Sequence, residues 1–194
     1  RVRMRATTLG FRAQQTRGTP HRGDRSDQPS SQESPTGVGL LRPAVLGAVD
    51  GTITSFVVVA SGFAGSVDKD VIVLIGVASL LADAVSMASG EFLSVRAEGA
   101  PARTAGVHGL ACSAAFVTVG SVPLLAYALV QAPGAAAALA SLAFAACLVS
   151  IGVARARTTA SGTLAGVAEV CLVGAAAGGV AVAAGLFGGR VRDG

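Results

Sequence analysis

The chain has 194 residues, of which 52% are hydrophobic and 13% are charged. The charged share is about half of the ~25% found in ordinary soluble domains, which argues against a soluble globular fold. The net charge of +4 does not indicate nucleic-acid binding, because eight of the fifteen basic residues lie in the first 42 positions and the others lie at segment ends. We therefore predict an all-α integral membrane protein.

Residues 1–40 are polar, rich in Arg, Ser, Gln, Gly and Pro, and show no apolar periodicity. We predict that they form a disordered cytoplasmic tail and that residues 41–190 form a transmembrane domain. No apolar segment directly follows the first arginines, so we do not expect a secretory signal.

Five apolar segments follow the tail, and each is long enough for the ~20 residues that a spanning helix needs. They cover about 43–66, 71–95, 104–130, 134–154 and 163–189. Pro43 suits the first turn of the first helix, and Pro123 interrupts the third segment. The links are short (the first is residues 67–70), so consecutive helices should be antiparallel and form an up-down bundle.

The basic residues predict the orientation of this bundle. Twelve Lys and Arg residues lie in the first 42 positions and in the loops 96–103 and 155–157, against three on the opposite side. The excess places the N-terminus in the cytoplasm and the C-terminus across the membrane. A composition rich in Ala, Gly and Arg with hardly any Lys favours a bacterial plasma membrane, and a vacuolar membrane is the alternative in a eukaryote.

The second segment contains LADAVSMASGEFLS, residues 81–94, with Asp83, Met87 and Glu91 four residues apart. On a helix this spacing puts the three side chains on one face. A carboxylate near the bilayer centre costs roughly 2.5–3.5 kcal/mol on insertion scales. We expect a polar stripe that faces a partner helix or a pathway.

The first segment carries a further acid, Asp50, one-third of the way along its apolar run. Gly47 and Gly51 flank it as a GxxxG pair, and Gly174 and Gly178 form a second pair in the fifth segment. Such pairs allow close approach of another helix. We expect Asp50 to lie near a helix contact.

Carboxylates with a thioether suit Fe²⁺ or Mn²⁺ better than Mg²⁺. Desolvation penalises the charged form of a carboxylate, so proton uptake and metal release could exchange at one group. Other roles stay open: Asp83 could hydrogen-bond a neighbouring helix, Met87 could fill the core, and Glu91 could lie at the membrane interface. Glu169, early in the fifth segment, suits an interfacial or packing role.

The remaining potential ligands are expected to be inert. Cys112, Cys147 and Cys171 each fall in an apolar run without a CxxC pattern, so we expect small buried residues, without disulfide or zinc pairing. His108 is expected at the membrane interface and His21 lies in the tail, so neither is predicted to be a ligand.

Two motifs resemble the vacuolar iron transporter (VIT) family and its nodulin-like relatives. LGAVDGTITSF, residues 46–56, is similar to the family's G-x-x-DG-x-x-T-x-F. Residues 81–94 are similar to its ADAISMA-x-GEYLS, with Phe92 where Tyr is usual. GSVPLL, residues 120–125, and the Gly-rich fifth segment match more weakly, and the resemblance covers about 41–190.

The resemblance implies five transmembrane helices and a homodimer with the ion path between subunits. It also implies exchange of Fe²⁺, often Mn²⁺ as well, against protons. Asp50 and Met87 correspond to residues that line the family's path, and Glu91 corresponds to the GEY glutamate. The metal would be substrate, and no cofactor is expected.

One departure concerns the link 96–103, whose sole acid is Glu98. Iron-storing plant members carry a long Glu-rich domain there, and it is absent here. An acid that some members have eight residues before the Met falls on Ser79.

We therefore predict a dimeric, proton-coupled Fe²⁺/Mn²⁺ transporter that moves metal out of the cytoplasm. Asp50 and Met87 would be metal ligands, and Asp83 and Glu91 auxiliary ligands or proton acceptors. The alternatives are a non-transporting membrane module and a passive channel. An enzyme is not expected, because neither a nucleophile–base pair nor a cofactor loop is found.

Overall fold

The computed structural model describes residues 38–156 and 162–194. These ranges contain five α-helices and no strand, which confirms the all-α prediction. The helices are α1 (Val38–Ala64), α2 (Lys69–Ala97), α3 (Ala102–Leu129), α4 (Pro133–Ala156) and α5 (Thr163–Asp193). Each is long and apolar enough to cross a membrane, so the chain is a multi-pass membrane protein.

The helix bounds follow the apolar segments closely, with two differences at the start of the domain. Residues 38–40, which the sequence predicts to belong to the tail, begin α1. The rest of the predicted tail and the loop residue Arg157 lie outside the described residues. The first link occupies residues 65–68 and not 67–70, because α2 begins at Lys69.

Both prolines lie inside helices. Pro43 is the sixth residue of α1, so the prediction of a first-turn proline is wrong. Pro123 does not interrupt α3, which continues to Leu129. A proline lacks the N–H that would bond the carbonyl four residues earlier, so α3 runs through this position with the Val119 carbonyl lacking its helical donor.

The first two helices end in the same way. Ser66 and Gly99, each just past a helix end, have positive φ values of 53° and 87°. The amide two residues past each helix's C-cap residue bonds back to the last turn, as in a Schellman motif. The bonds are Val67 N–H to the Gly62 carbonyl at 2.9 Å and Ala100 N–H to the Val95 carbonyl at 3.3 Å. These turns reverse the chain within four residues.

Contacts between helix ends confirm the up-down arrangement. The Lys69 ammonium, at the start of α2, donates to the carbonyl of Val130, just past the end of α3, at 2.7 Å. Arg155 near the end of α4 pairs with Glu169 early in α5 at 2.7 Å. One end of the bundle therefore holds Arg42, Arg96, Arg103 and Arg155, whereas Arg190 and Arg192 lie in the last turn of α5.

Helix α1 lies at the centre and packs against all four other helices. Around it α2 packs on α3, α3 on α4, and α4 on α5. The outer helices therefore form an incomplete ring, with a gap between α2 and α5. A cavity of about 460 Å³ occupies one end of this gap, with lining residues from the end of α1, the start of α2 and the end of α5.

Glycines allow α1 and α3 to approach closely. A Cβ at Gly120 of α3 would lie 2.7 Å from the Gly51 backbone, and one at Gly47 would meet the Cys112 carbonyl. The predicted contact at the first GxxxG pair is confirmed. The second pair meets side chains instead: a Cβ at Gly178 would lie 3.0 Å from the Phe56 ring.

Candidate functional site

Asp50 lies on the side of α1 that faces the gap in the ring. Gly47 and Gly51 point toward α3, while Val49 and Ile53 pack against apolar residues of α4 and α5. Asp50 points to neither side and is exposed on this single chain. The spacing of residues along α1 therefore places a carboxylate at the mouth of the gap, within a membrane span.

Helix α2 carries the predicted stripe along its contact with α3. Asp83, Met87 and Glu91 are all partly buried, in contrast to the exposed Val85 and Ser86 between them. Met87 packs against a small core cluster formed by Leu80, Ala84 and Phe116. Its thioether therefore has one side against the core and another side accessible.

Electrostatic contacts connect the three helices. The carboxylates of Asp50 and Asp83 are close enough to repel each other across α1 and α2. The thiol of Cys112 in α3 is fully buried and lies within electrostatic range of the carboxylates of Glu91 and Asp50. The fold therefore gathers Asp50, Asp83 and Glu91 along one seam.

His108 of α3 faces Glu91 of the stripe on α2. Its Nδ1 lies 3.8 Å from Oε1 of Glu91, and the exposed fractions of the two side chains are 17% and 10%. The sequence predicts an interfacial residue here and not a ligand, whereas the structure places His108, mostly buried, beside a predicted ligand. The sequence contains a sign of this contact, because residues 91 and 108 are equally distant from the middle of the link 98–101 and should lie side by side on antiparallel helices.

The other predicted residues behave as small or structural groups. Glu169 is exposed and pairs with Arg155, which fits the interfacial or packing role. All three cysteines are free thiols. Cys112 is buried, while Cys147 and Cys171 are only partly so.

The candidate ligands of one chain do not complete a metal site. Within residues 38–156 and 162–194, no group of three or more His, Cys, Asp or Glu side chains is arranged to hold a metal ion. The polar groups instead lie along the seam as two pairs, Asp50 with Asp83 and Glu91 with His108. A full coordination shell there would require water or groups from a second chain.

The similarity to known proteins lies mainly in α1 and α2. Residues 41–105 match the VIT family, and this range contains both motifs with Asp50, Met87 and Glu91. A curated protein named "Vacuolar iron transporter" from Toxoplasma gondii (strain ATCC 50861 / VEG) is 35% identical over 63 residues. The aligned part is 32% of this chain and spans only 21% of that relative's length. No solved structure matches the chain.

Proposed function

We propose that this chain, whose residues 41–105 match the VIT family, is a proton-coupled transporter of Fe²⁺ or Mn²⁺. It moves the metal out of the cytoplasm along a path at a homodimer interface. Asp50 and Met87 are the pathway ligands, and Asp83 and Glu91 are auxiliary ligands or proton acceptors.

The observation that carries this proposal is the exposure of Asp50 within a membrane span. A carboxylate facing lipid at mid-membrane costs roughly 2.5–3.5 kcal/mol, and such groups normally face a bundle interior or a water-filled cavity. On one chain the gap between α2 and α5 leaves Asp50 uncovered. A second copy across this gap would enclose Asp50 and give the ion a polar route.

The donor chemistry supports a transition metal over Mg²⁺. Asp50 and Asp83 supply hard carboxylate oxygens, and Met87 adds a polarisable sulfur from the same side of the bundle. Sulfur ligands favour softer cations, whereas Mg²⁺ prefers oxygen ligands and retains its water. The repulsion between the two carboxylates is relieved by binding either a cation or a proton, which provides a basis for exchange.

The proposal is tested by Fe²⁺ uptake into proteoliposomes under anaerobic conditions, with the interior of the vesicles acidic. Asp50→Asn is expected to lower the initial flux at least tenfold, since even an outer partner of a metal ligand is worth about 10–100-fold. Glu169→Gln is the matched control: it removes a spanning-helix acid whose exposed ion pair with Arg155 contributes ~0–1 kcal/mol.

Three results would contradict parts of this proposal. Wild-type flux in Asp50→Asn would remove Asp50 from the path. Flux that persists without a pH gradient would indicate a passive channel. Absence of metal flux in the wild-type protein, with the dimer intact, would favour a non-transporting module.

A further inference from the structure

Glu91 and His108 form a close polar pair in a largely apolar part of the bundle. The Nδ1 and Oε1 atoms are 3.8 Å apart, which exceeds the length of a hydrogen bond. Both side chains are mostly buried, with exposed fractions of 10% and 17%. Two metal-ligating groups held at this depth without a direct hydrogen bond leave room for a third atom between them.

The separation suits two ligands of one metal ion. Metal–nitrogen and metal–oxygen bonds of about 2.0–2.2 Å put two ligand atoms about 3.4 Å apart at a tetrahedral angle and about 3.0 Å apart at the 90° angle of an octahedral shell. The observed pair, at 3.8 Å, therefore needs to close by about 0.4–0.8 Å. A rotation of the Glu91 carboxylate about its terminal torsion is sufficient for that, because this torsion is soft.

A cavity borders the histidine of the pair. About 330 Å³ in volume, it is lined by Leu40 at the start of α1 and by Arg103, Thr104, Val107 and His108 at the start of α3. It lies at the arginine-bearing end of the bundle, which the basic residues predict to be cytoplasmic. His108 therefore borders this cavity and also faces Glu91. The positive charge of Arg103 opposes the approach of cations. A metal ion would therefore bind here only through direct bonds to His108 and Glu91.

The pair is also aligned with the rest of the seam. His108 and Cys112 are four residues apart on α3, as Glu91 and Met87 are on α2, which is about 6 Å along each helix. A cation at His108 and Glu91 would thus lie one turn from Met87. Both residues of the pair are fixed in register by the short link 98–101.

We propose that His108 and Glu91 form a capture site for a divalent transition-metal ion at the cytoplasmic entrance, with water completing the coordination. Imidazole nitrogen favours Fe²⁺ and later transition metals over Mg²⁺ and Ca²⁺, which prefer oxygen, and Mn²⁺ serves as the spectroscopic probe of the site. The role as an entrance rests on the proposed transport function, whereas the binding itself does not. Residue 108 lies outside the range matched to the VIT family.

A different role for the pair is a strut that holds α2 against α3 without metal. The two roles differ in one observable, a bond between metal and imidazole nitrogen. The chain has only two histidines, His21 and His108, so His21→Ala leaves His108 as the sole imidazole. This variant keeps the pair intact and does not depend on the folding of a pathway mutant.

The experiment is pulsed EPR of Mn²⁺ bound below one equivalent to the full chain in nanodiscs, purified with a tag that contains no histidine. Nitrogen coupling is expected in the wild type and in His21→Ala, and it should change when histidine is labelled with ¹⁵N. It should disappear in His108→Asn. Glu91→Gln should weaken Mn²⁺ binding at least tenfold, while Glu98→Gln at the exposed link should not.

Absence of histidine nitrogen coupling in wild type would overturn the capture site, as would coupling that is lost in His21→Ala. Displacement of Mn²⁺ by equimolar Mg²⁺ would also overturn it. The same measurement in Asp50→Asn separates the two proposals, because the coupling should persist there even when transport is lost. Wild-type transport in Asp50→Asn, with the coupling retained, would count against the path and not against the capture site.

Discussion

Met87 is the residue for which a structural and a functional role are hardest to separate, since it packs against Phe116 and is also accessible from the seam. Met87→Leu separates them. Leucine has nearly the same volume, so the stability cost should stay below ~1.5 kcal/mol, while the sulfur ligand is lost. We expect an unchanged melting temperature within a few degrees and an Fe²⁺ flux at least tenfold lower.

Leu80→Met is the matched control for that change, because it adds a thioether to the same core cluster while leaving Met87 in place. It should transport like the wild type. Equal flux in Met87→Leu and wild type would assign Met87 to the core alone, the role that sequence analysis left open.

Residues differ in how visible their roles are in the sequence. Asp50 and Glu91 stand out because inserting an acidic side chain into a membrane span costs free energy, and such residues usually have a function. His108 did not stand out, because a histidine near the start of a span is ordinary at a membrane interface. Its contact with Glu91 depends on the register between two helices, and that register is set by where α2 ends and α3 begins.

At the level of helices, the close approach of α1 and α3 holds Asp50 in place. A Cβ at Gly120 would lie 2.7 Å from the backbone of Gly51, the residue after Asp50. Since backbone has to shift, Gly120→Ala should destabilise the bundle by about 1–3 kcal/mol and lower the metal flux. Gly179→Ala, whose Cβ meets nothing within 4 Å, should have no such effect.

Thermal unfolding in detergent, followed by the loss of the monodisperse chromatographic peak, measures the difference between these two alanine variants. Equal melting temperatures would mean that α1 and α3 separate at no cost, and the structural role assigned to Gly51 and Gly120 would then be wrong.

The helices themselves could be predicted well, because hydropathy sets both their number and their approximate bounds. The behaviour of Pro123 could not. In an isolated helix a proline costs ~3 kcal/mol, which argues for a break. In the bundle Pro123 is fully buried within α3, and contacts with neighbouring helices keep the helix continuous. Tertiary packing therefore determines whether α3 continues through Pro123, and the pattern of apolar residues in the sequence carries little information about that packing.

At the level of the whole molecule, one chain leaves its most costly polar group uncovered. The ring of outer helices around α1 is open between α2 and α5, and Asp50 faces this opening. Most of the opposite surface, formed by α3 and α4, is apolar and needs only lipid. A two-fold interface places the same face of both copies together, so a dimer built on the gap would cover both Asp50 carboxylates at once.

This arrangement predicts distances between two copies. A spin label at Leu46, which is 51% exposed and lies one turn before Asp50, should give a short distance between subunits in nanodiscs. A label at Leu142 of α4, 68% exposed on the far side of the ring, should give a longer one. Each label is placed on a chain whose three cysteines are replaced by alanine, so that a single site reports.

The two distances decide between ways of enclosing the path. A shorter distance at Leu46 than at Leu142 supports an interface across the gap, with Asp50 from both copies lining a shared route. The reverse order would place the interface on α4 and leave Asp50 facing lipid, which its charge does not tolerate. Absence of dipolar coupling at both sites, with transport retained, would mean that one chain encloses the path by closing its own gap between α2 and α5.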